Sequence, residues 1–124
     1  MTNTGTEAAE QGWDGPWYRV RTDRFQASFL PSAGEPLDTV CNVDVEVLLT
    51  ADGSRWSASV FTLAEVERIM GRWSRTGEAR GGRYFWCSDG LIVREPGIDN
   101  MTQVLVGLLD DGNFTHVLQR LDDE

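Results

Sequence analysis

Residues 41–49 read Cys-Asn-Val-Asp-Val-Glu-Val-Leu-Leu, and this run decides the fold class. Cys41, Val43, Val45, Val47 and Leu49 alternate with Asn42, Asp44, Glu46 and Leu48. Side chains leave a strand on opposite faces at period two. One face of this strand is therefore apolar and the other acidic, the pattern of an antiparallel sheet with one solvated side. Ala51-Asp52-Gly53 follows as a hairpin turn, where glycine takes positive φ at little cost. Arg55 to Phe61 returns with Trp56, Ala58 and Val60 on one face.

Past the hairpin the period changes. Thr62 and Glu65 form a T-x-x-E capping box, and Phe61 with Val66 can close a hydrophobic staple. Leu63, Val66, Ile69, Met70 and Trp73 fall at helical spacing as one apolar stripe, and Gly77 stops the helix. Arg83 to Cys87 reads as a strand by residue type. Ser88-Asp89-Gly90 makes a second turn and Leu91 to Glu95 returns. A second helix starts at Asp99 or Asn100, buries Met101, Val104, Leu105 and Leu108, and ends at Gly112. Phe114, Val117, Leu118 and Leu121 predict a short last helix.

Toward the N-terminus, Trp17 to Arg21 is a first strand that resumes at Phe25 to Leu30, and Pro31 to Pro36 is a loop. Residues 1–15 are polar and glycine-punctuated and read as a mostly disordered tail in which Trp13 can dock. The expectation is a single α+β domain over 16–124. It consists of an antiparallel sheet of about five strands, two main helices on one face and a short C-terminal helix. Hairpin-then-helix occurs twice in this reading, over 41–75 and 83–111.

Composition narrows function by exclusion. The net charge of -9 disfavours nucleic acid and anionic membranes as partners. All eleven cationic side chains are arginine, as a GC-rich genome would also produce. Cys41 and Cys87 lie in apolar runs, and with His116 as the one histidine no zinc set is expected. The N-terminus lacks the charged and apolar regions of a signal peptide, and no apolar run approaches membrane length. A cytoplasmic protein with reduced thiols is the expectation. No G-x-S-x-G, H-E-x-x-H, C-x-x-C or lysine-bearing phosphate loop occurs, so no catalytic residue, metal or cofactor is assigned. A thiol pair of Cys87 with His116 is not required by any spacing.

Two surfaces stand out. At about 100° per residue, Arg68, Arg72 and Arg75 lie within roughly 60° of one another, opposite the apolar stripe. Arg80 and Arg83 follow in the loop, and the island suits an acidic or phosphorylated partner. A plain solvated helix face, neutralised by Glu65, Glu67 and Glu78, is the competing reading. Next to it, Arg83-Tyr84-Phe85-Trp86 follows Gly81-Gly82, and an exposed Tyr or Trp beside Arg is typical of a hot spot. If the segment is a strand, Tyr84 and Trp86 share one face and Phe85 and Cys87 the other, so at least one pair is core.

The run Arg83-Tyr84-Phe85-Trp86-Cys87-Ser88-Asp89, with Leu91-Ile92-Val93 and the helix ending near Gly112, resembles small uncharacterised bacterial proteins carrying R-Y-F-W-[AC]-S-D. The resemblance implies no activity. It implies that Cys87 stands where relatives tolerate alanine, against a catalytic thiol. The expected function is non-catalytic binding of another protein or a regulatory role, in an immunity or antitoxin-like form; a structural role, including a homodimer through the exposed sheet edge, is a further reading. The alternative is a ligand site or enzyme centre near Arg83 and Trp86.

Overall fold

The computed structural model describes residues 10–121. Its sheet holds seven strands. β1 (Glu10–Asp14), β2 (Trp17–Arg21), β3 (Phe25–Leu30), β4 (Asn42–Leu49) and β5 (Arg55–Thr62) form an antiparallel meander in chain order. Helix α1 (Leu63–Thr76) follows, then a short turn α2 (Glu78–Gly82) and β6 (Gly90–Val93). After α3 (Ile98–Asp110) and α4 (Phe114–Val117), the chain closes with β7 (Gln119–Leu121). β6 lies parallel to the second half of β5, and β7 runs antiparallel along its first half. The α+β class is therefore correct, and five strands was an undercount.

Register puts the apolar alternates in rows. Val20, Ala27, Val47 and Trp56 stand side by side across four strands, as do Tyr18, Phe29, Val45 and Ala58. Against this face α3 lays Ile98, Met101, Leu105 and Val106, and Phe114 meets Trp56 edge-on at 5.9 Å. The hairpin that carries the face is closed by a relay: Trp56 Nε1 donates to Ser54 Oγ, which donates to Asp52 Oδ1.

Four expectations need correction. The tail through residue 15 fails from residue 10 onward, because Glu10–Asp14 pairs with Trp17–Arg21 as a hairpin strand; residues 1–9 lie outside the described residues. The two main helices do not share a face: Val60 faces the α3 cluster, whereas its neighbour Phe61 joins Val66 and Ile69 of α1. Consecutive strand residues point oppositely, so α1 covers the other side of the sheet at the end of β5. The segment Arg83–Cys87 is not a strand, and the second hairpin does not form. Phe85 and Cys87 are instead drawn into the cluster of Phe61, Ile69 and Trp73, and the segment pairs with no strand. The C-terminal helix stops at Val117, and Gln119–Leu121 joins the sheet.

The phases of both helices also shift. Leu63 is half exposed, and Glu65 takes its place among the buried residues of α1. On α3, Val104 and Leu108 are half-buried, while Ile98, Thr102 and Val106 join Met101 and Leu105 inside. α3 starts from Gly97 without a side-chain cap; Asn100 Nδ2 instead donates to the Glu95 carbonyl.

Candidate functional site

The loop after α1 is built by close backbone contact. Gly77 caps the helix at φ 90°, its N–H donating to the Trp73 carbonyl at 2.8 Å. Ala79, Arg80 and Gly81 then take left-handed angles, with φ of 51°, 58° and 75°. Arg83 N–H closes this turn on the Ala79 carbonyl at 3.0 Å. For Ala79 and Arg80 that conformation is strained, because Cβ crowds the following carbonyl. The turn folds the chain back so that Gly82 sits on α1 itself: a Cβ there would collide with the Met70 carbonyl.

From that seat Tyr84 to Cys87 alternate without being a strand. Phe85 stacks on Trp73 at 5.8 Å and meets Phe61 edge-on at 4.9 Å. Cys87 packs into the same cluster, its Sγ donating to Asp89 Oδ1 at 3.6 Å. Tyr84 and Trp86 are left outside, 53% and 74% exposed, the latter the most exposed large hydrophobic among the described residues. Ile92 on β6 and Leu63 at the start of α1, exposed by 46% and 50%, belong to the same end of the sheet. The division of Tyr84/Trp86 from Phe85/Cys87 read from the sequence is thus observed, with stacking rather than pleating as its cause.

The arginines divide in two. Arg68 Nε and Nη2 donate to the two carboxylate oxygens of Glu65, each at 2.8 Å. Glu65, only 7% exposed, also accepts from Asn42 Nδ2 at 3.4 Å and Cys41 Sγ at 3.7 Å. Thr62 Oγ1 accepts from the Glu65 N–H, but the carboxylate does not return to the Thr62 N–H, which bonds Cys41 instead. The capping box is half formed because Glu65 is spent on this buried cluster. The Arg68 bonds hold the Glu65 carboxyl below its ordinary value against the opposing effect of burial. Burial, followed by the Glu65 charge, pushes the Cys41 thiol up. Arg75 Nη1 donates to the Gly71 carbonyl at 3.4 Å.

Arg72, Arg80, Arg83 and Arg94 make no side-chain hydrogen bond or ion pair among the described residues. Yet they do not form one island. On a helix with about 100° per residue, Arg68, Arg72 and Arg75 lie roughly 100–160° round from Met70 and Ser74, where the loop is seated. Arg80 and Arg83 thus belong to the same loop as Tyr84 and Trp86, and the three helix arginines lie on a separate flank of α1.

The solvated face of the sheet, opposite α3, is the second concave feature. A shallow cavity of about 280 Å3 lies over Trp17, Arg19, Gln26, Ser28, Glu46 and Arg55. Cross-strand pairs lace this face: Arg21 with Glu10 at 3.6 Å, Arg55 with Glu46 at 3.5 Å, and Ser59 donating to Asp44 at 2.9 Å. Arg19 Nε lies 3.0 Å from Asp14 Oδ2, but out of line, so the buried N–H makes no hydrogen bond among the described residues. Asp44 and Glu46, the acidic half of this face, are legible in the sequence, whereas the cavity is not. The alternation of Trp17, Arg19 and Arg21 on the neighbouring strand was the available signal.

Among the described residues no group of His, Cys, Asp and Glu has metal-binding geometry. Cys87 bonds Asp89, and no thiol–imidazole pair with the exposed His116 is formed. No helix of the described residues is long and apolar enough to cross a membrane. No family model, curated protein or solved structure matches this chain.

Proposed function

We propose that this chain is a non-catalytic protein-binding module that docks another protein through the Tyr84/Trp86 loop. The observation that carries this reading is the exposure of Trp86 on a loop whose neighbour Phe85 is stacked between Phe61 and Trp73. A large aromatic held in water by a rigid seat loses little side-chain freedom on binding, which is why Trp, Tyr and Arg dominate hot spots. Arg80 and Arg83, earlier in the same loop, supply the third residue type of that set. An immunity or antitoxin-like role is the finer form of the proposal: a net charge of -9 steers the molecule toward a basic target.

The test is capture from native lysate with tagged chains. Wild type and Leu48→Ser, altered on the solvated sheet face, should retain the same specific partner. Tyr84→Ser/Trp86→Ser should lose it. Equal capture by all three chains contradicts the reading.

A small-ligand site is the second reading, and the cavity at Trp17, Arg19 and Arg55 favours it. Its location differs from the Arg83/Trp86 site expected from sequence. Against it stand the cross-strand ion pairs, which already occupy charge on that face.

A further inference from the structure

The solvated face of the sheet carries a trench that the strand register explains. Gly12, Arg19, Ser28, Glu46 and Ser57 stand in one row across β1 to β5. Gly12, Ser28 and Ser57 are small, and a Cβ added to Gly12 would meet nothing within 4 Å. The neighbouring row on the same face, Arg21, Gln26, Leu48 and Arg55, is made of long side chains. Trp17, two residues before Arg19 on β2, stands on the other side of the small row. The cavity of about 280 Å3 over Trp17, Ser28 and Arg55 is one part of this trench. A second part, of about 250 Å3, lies over Gly12, Asp14 and Arg21, and the two share Arg19 and Gln26.

Charge and hydrogen bonding say what fits it. The charged residues lining the two parts are Arg19, Arg21 and Arg55 against Glu10, Asp14 and Glu46. The arginines lie 3.0 Å from Asp14, 3.6 Å from Glu10 and 3.5 Å from Glu46 respectively. The trench is therefore balanced within a chain of net -9, and a charged ligand would have to compete with a pair already made. Hydrogen-bonding capacity is nevertheless left over. Arg19 is charge-paired but donates no side-chain hydrogen bond among the described residues, and Ser28 Oγ and Trp17 Nε1 make none either. Donors and acceptors set side by side match the hydroxyls of a sugar, each of which both donates and accepts. The electron-rich face of an indole attracts the C–H face of a sugar ring. Among the described residues Trp17 is the one aromatic side chain lining the larger part, so a flat heterocycle would find no second ring to close on it. We infer that the trench binds a neutral glycan. One ring rests on Trp17, with its hydroxyls on Arg19, Ser28 and the Arg55–Glu46 pair, and the adjoining part takes the next unit. This deepens the small-ligand reading of that face, since the ion pairs stand against a charged ligand alone, and it does not depend on the Tyr84/Trp86 docking role.

The experiment is an NMR titration of the full isotope-labelled chain, read at the indole N–H signals of its five tryptophans. Trp17→Phe identifies the signal that belongs to Trp17. The probes are maltotetraose, cellotetraose and chitotetraose, with tetragalacturonate as a charged glycan and adenosine as a flat heterocycle. At least one neutral tetrasaccharide should shift the Trp17 signal saturably, with an affinity that does not change between low and high salt. Ser28→Leu, which fills the trench, should weaken that binding at least about tenfold. Arg19→Met, which keeps the stem and removes the donors, should do the same, and the spectrum of each variant shows whether it is folded. Trp86→Ser should bind the glycan as wild type does, so failure of this site and failure of the docking role are read apart. No response to any neutral glycan, a response to tetragalacturonate or adenosine alone, or binding that survives both trench variants overturns the inference.

Discussion

Phe85 and Trp86 are adjacent in the chain and opposite in fate. Phe85 is held between Phe61 and Trp73, and Trp86 is in water. Replacing Trp86 with Ala should change unfolding free energy by no more than about 0.5 kcal/mol, as for other exposed sites. Phe85→Ala should cost about 2–4 kcal/mol, toward the lower end of buried aromatic truncations because Phe85 is only half-buried. Urea denaturation of the two variants checks this, and equal effects would mean that the stacking is wrong. Glu65 makes a pH prediction. Its folded pKa is depressed by Arg68, so its contribution to stability is complete above the ordinary glutamate range near ~4.3 and is lost as pH falls toward the lowered folded value. Denaturation of wild type and Glu65→Gln should differ by about 1–3 kcal/mol near neutral pH. The gap should close in acid, and a gap that does not change with pH would contradict the cluster.

At the scale of elements, α1 and the turn after it settle where the aromatics go. Thr62, Phe61, Val66 and Gly77 mark the ends of α1 in the sequence, and those marks are local chemistry that survives folding. What was not legible is the run from Glu78 to Cys87. Arg83-Tyr84-Phe85-Trp86-Cys87 has strand composition, but Phe85 and Cys87 pack on Phe61 and Trp73 instead of extending the sheet beyond β6. Nor does a sequence announce left-handed Ala79 and Arg80, since neither residue type favours that region. Ala79→Gly should relieve that strain and stabilise the protein by about 1 kcal/mol. A loss of stability on thermal denaturation would show that the turn is right-handed. Gly82→Ala should instead be strongly destabilising, because the added Cβ meets α1 backbone that cannot give way. Arg68→Gln/Arg72→Gln/Arg75→Gln should leave the fold intact but lower stability, since Arg68 pairs with the buried Glu65.

The whole molecule is one sheet with unequal faces. The period-two face of β4 and β5 was readable because burial on one side writes itself into alternate residues, and Val43, Val45, Val47, Trp56, Ala58 and Val60 are all buried. The side taken by α1 was not readable. It turns on a single residue, Phe61, which belongs to a different cluster from Val60. Strand order beyond the hairpin was equally hidden, since β6 and β7 are short and their pairing with β5 is long-range. Of the candidate residues, the exposure of Tyr84 and Trp86 was legible as the alternation with Phe85 and Cys87, whereas the bidentate tie of Arg68 to the buried Glu65 was not. The sheet leaves its laced, ion-paired face and its α1-side aromatic end both open, and only the second is held to be the docking surface. Photo-crosslinking from inside the cell tests that choice most directly, with benzoylphenylalanine placed at position 86 in one chain and at position 48 in another. The docking account predicts a discrete adduct with another protein from position 86 and none from position 48. An adduct from position 48 with none from position 86 would contradict it.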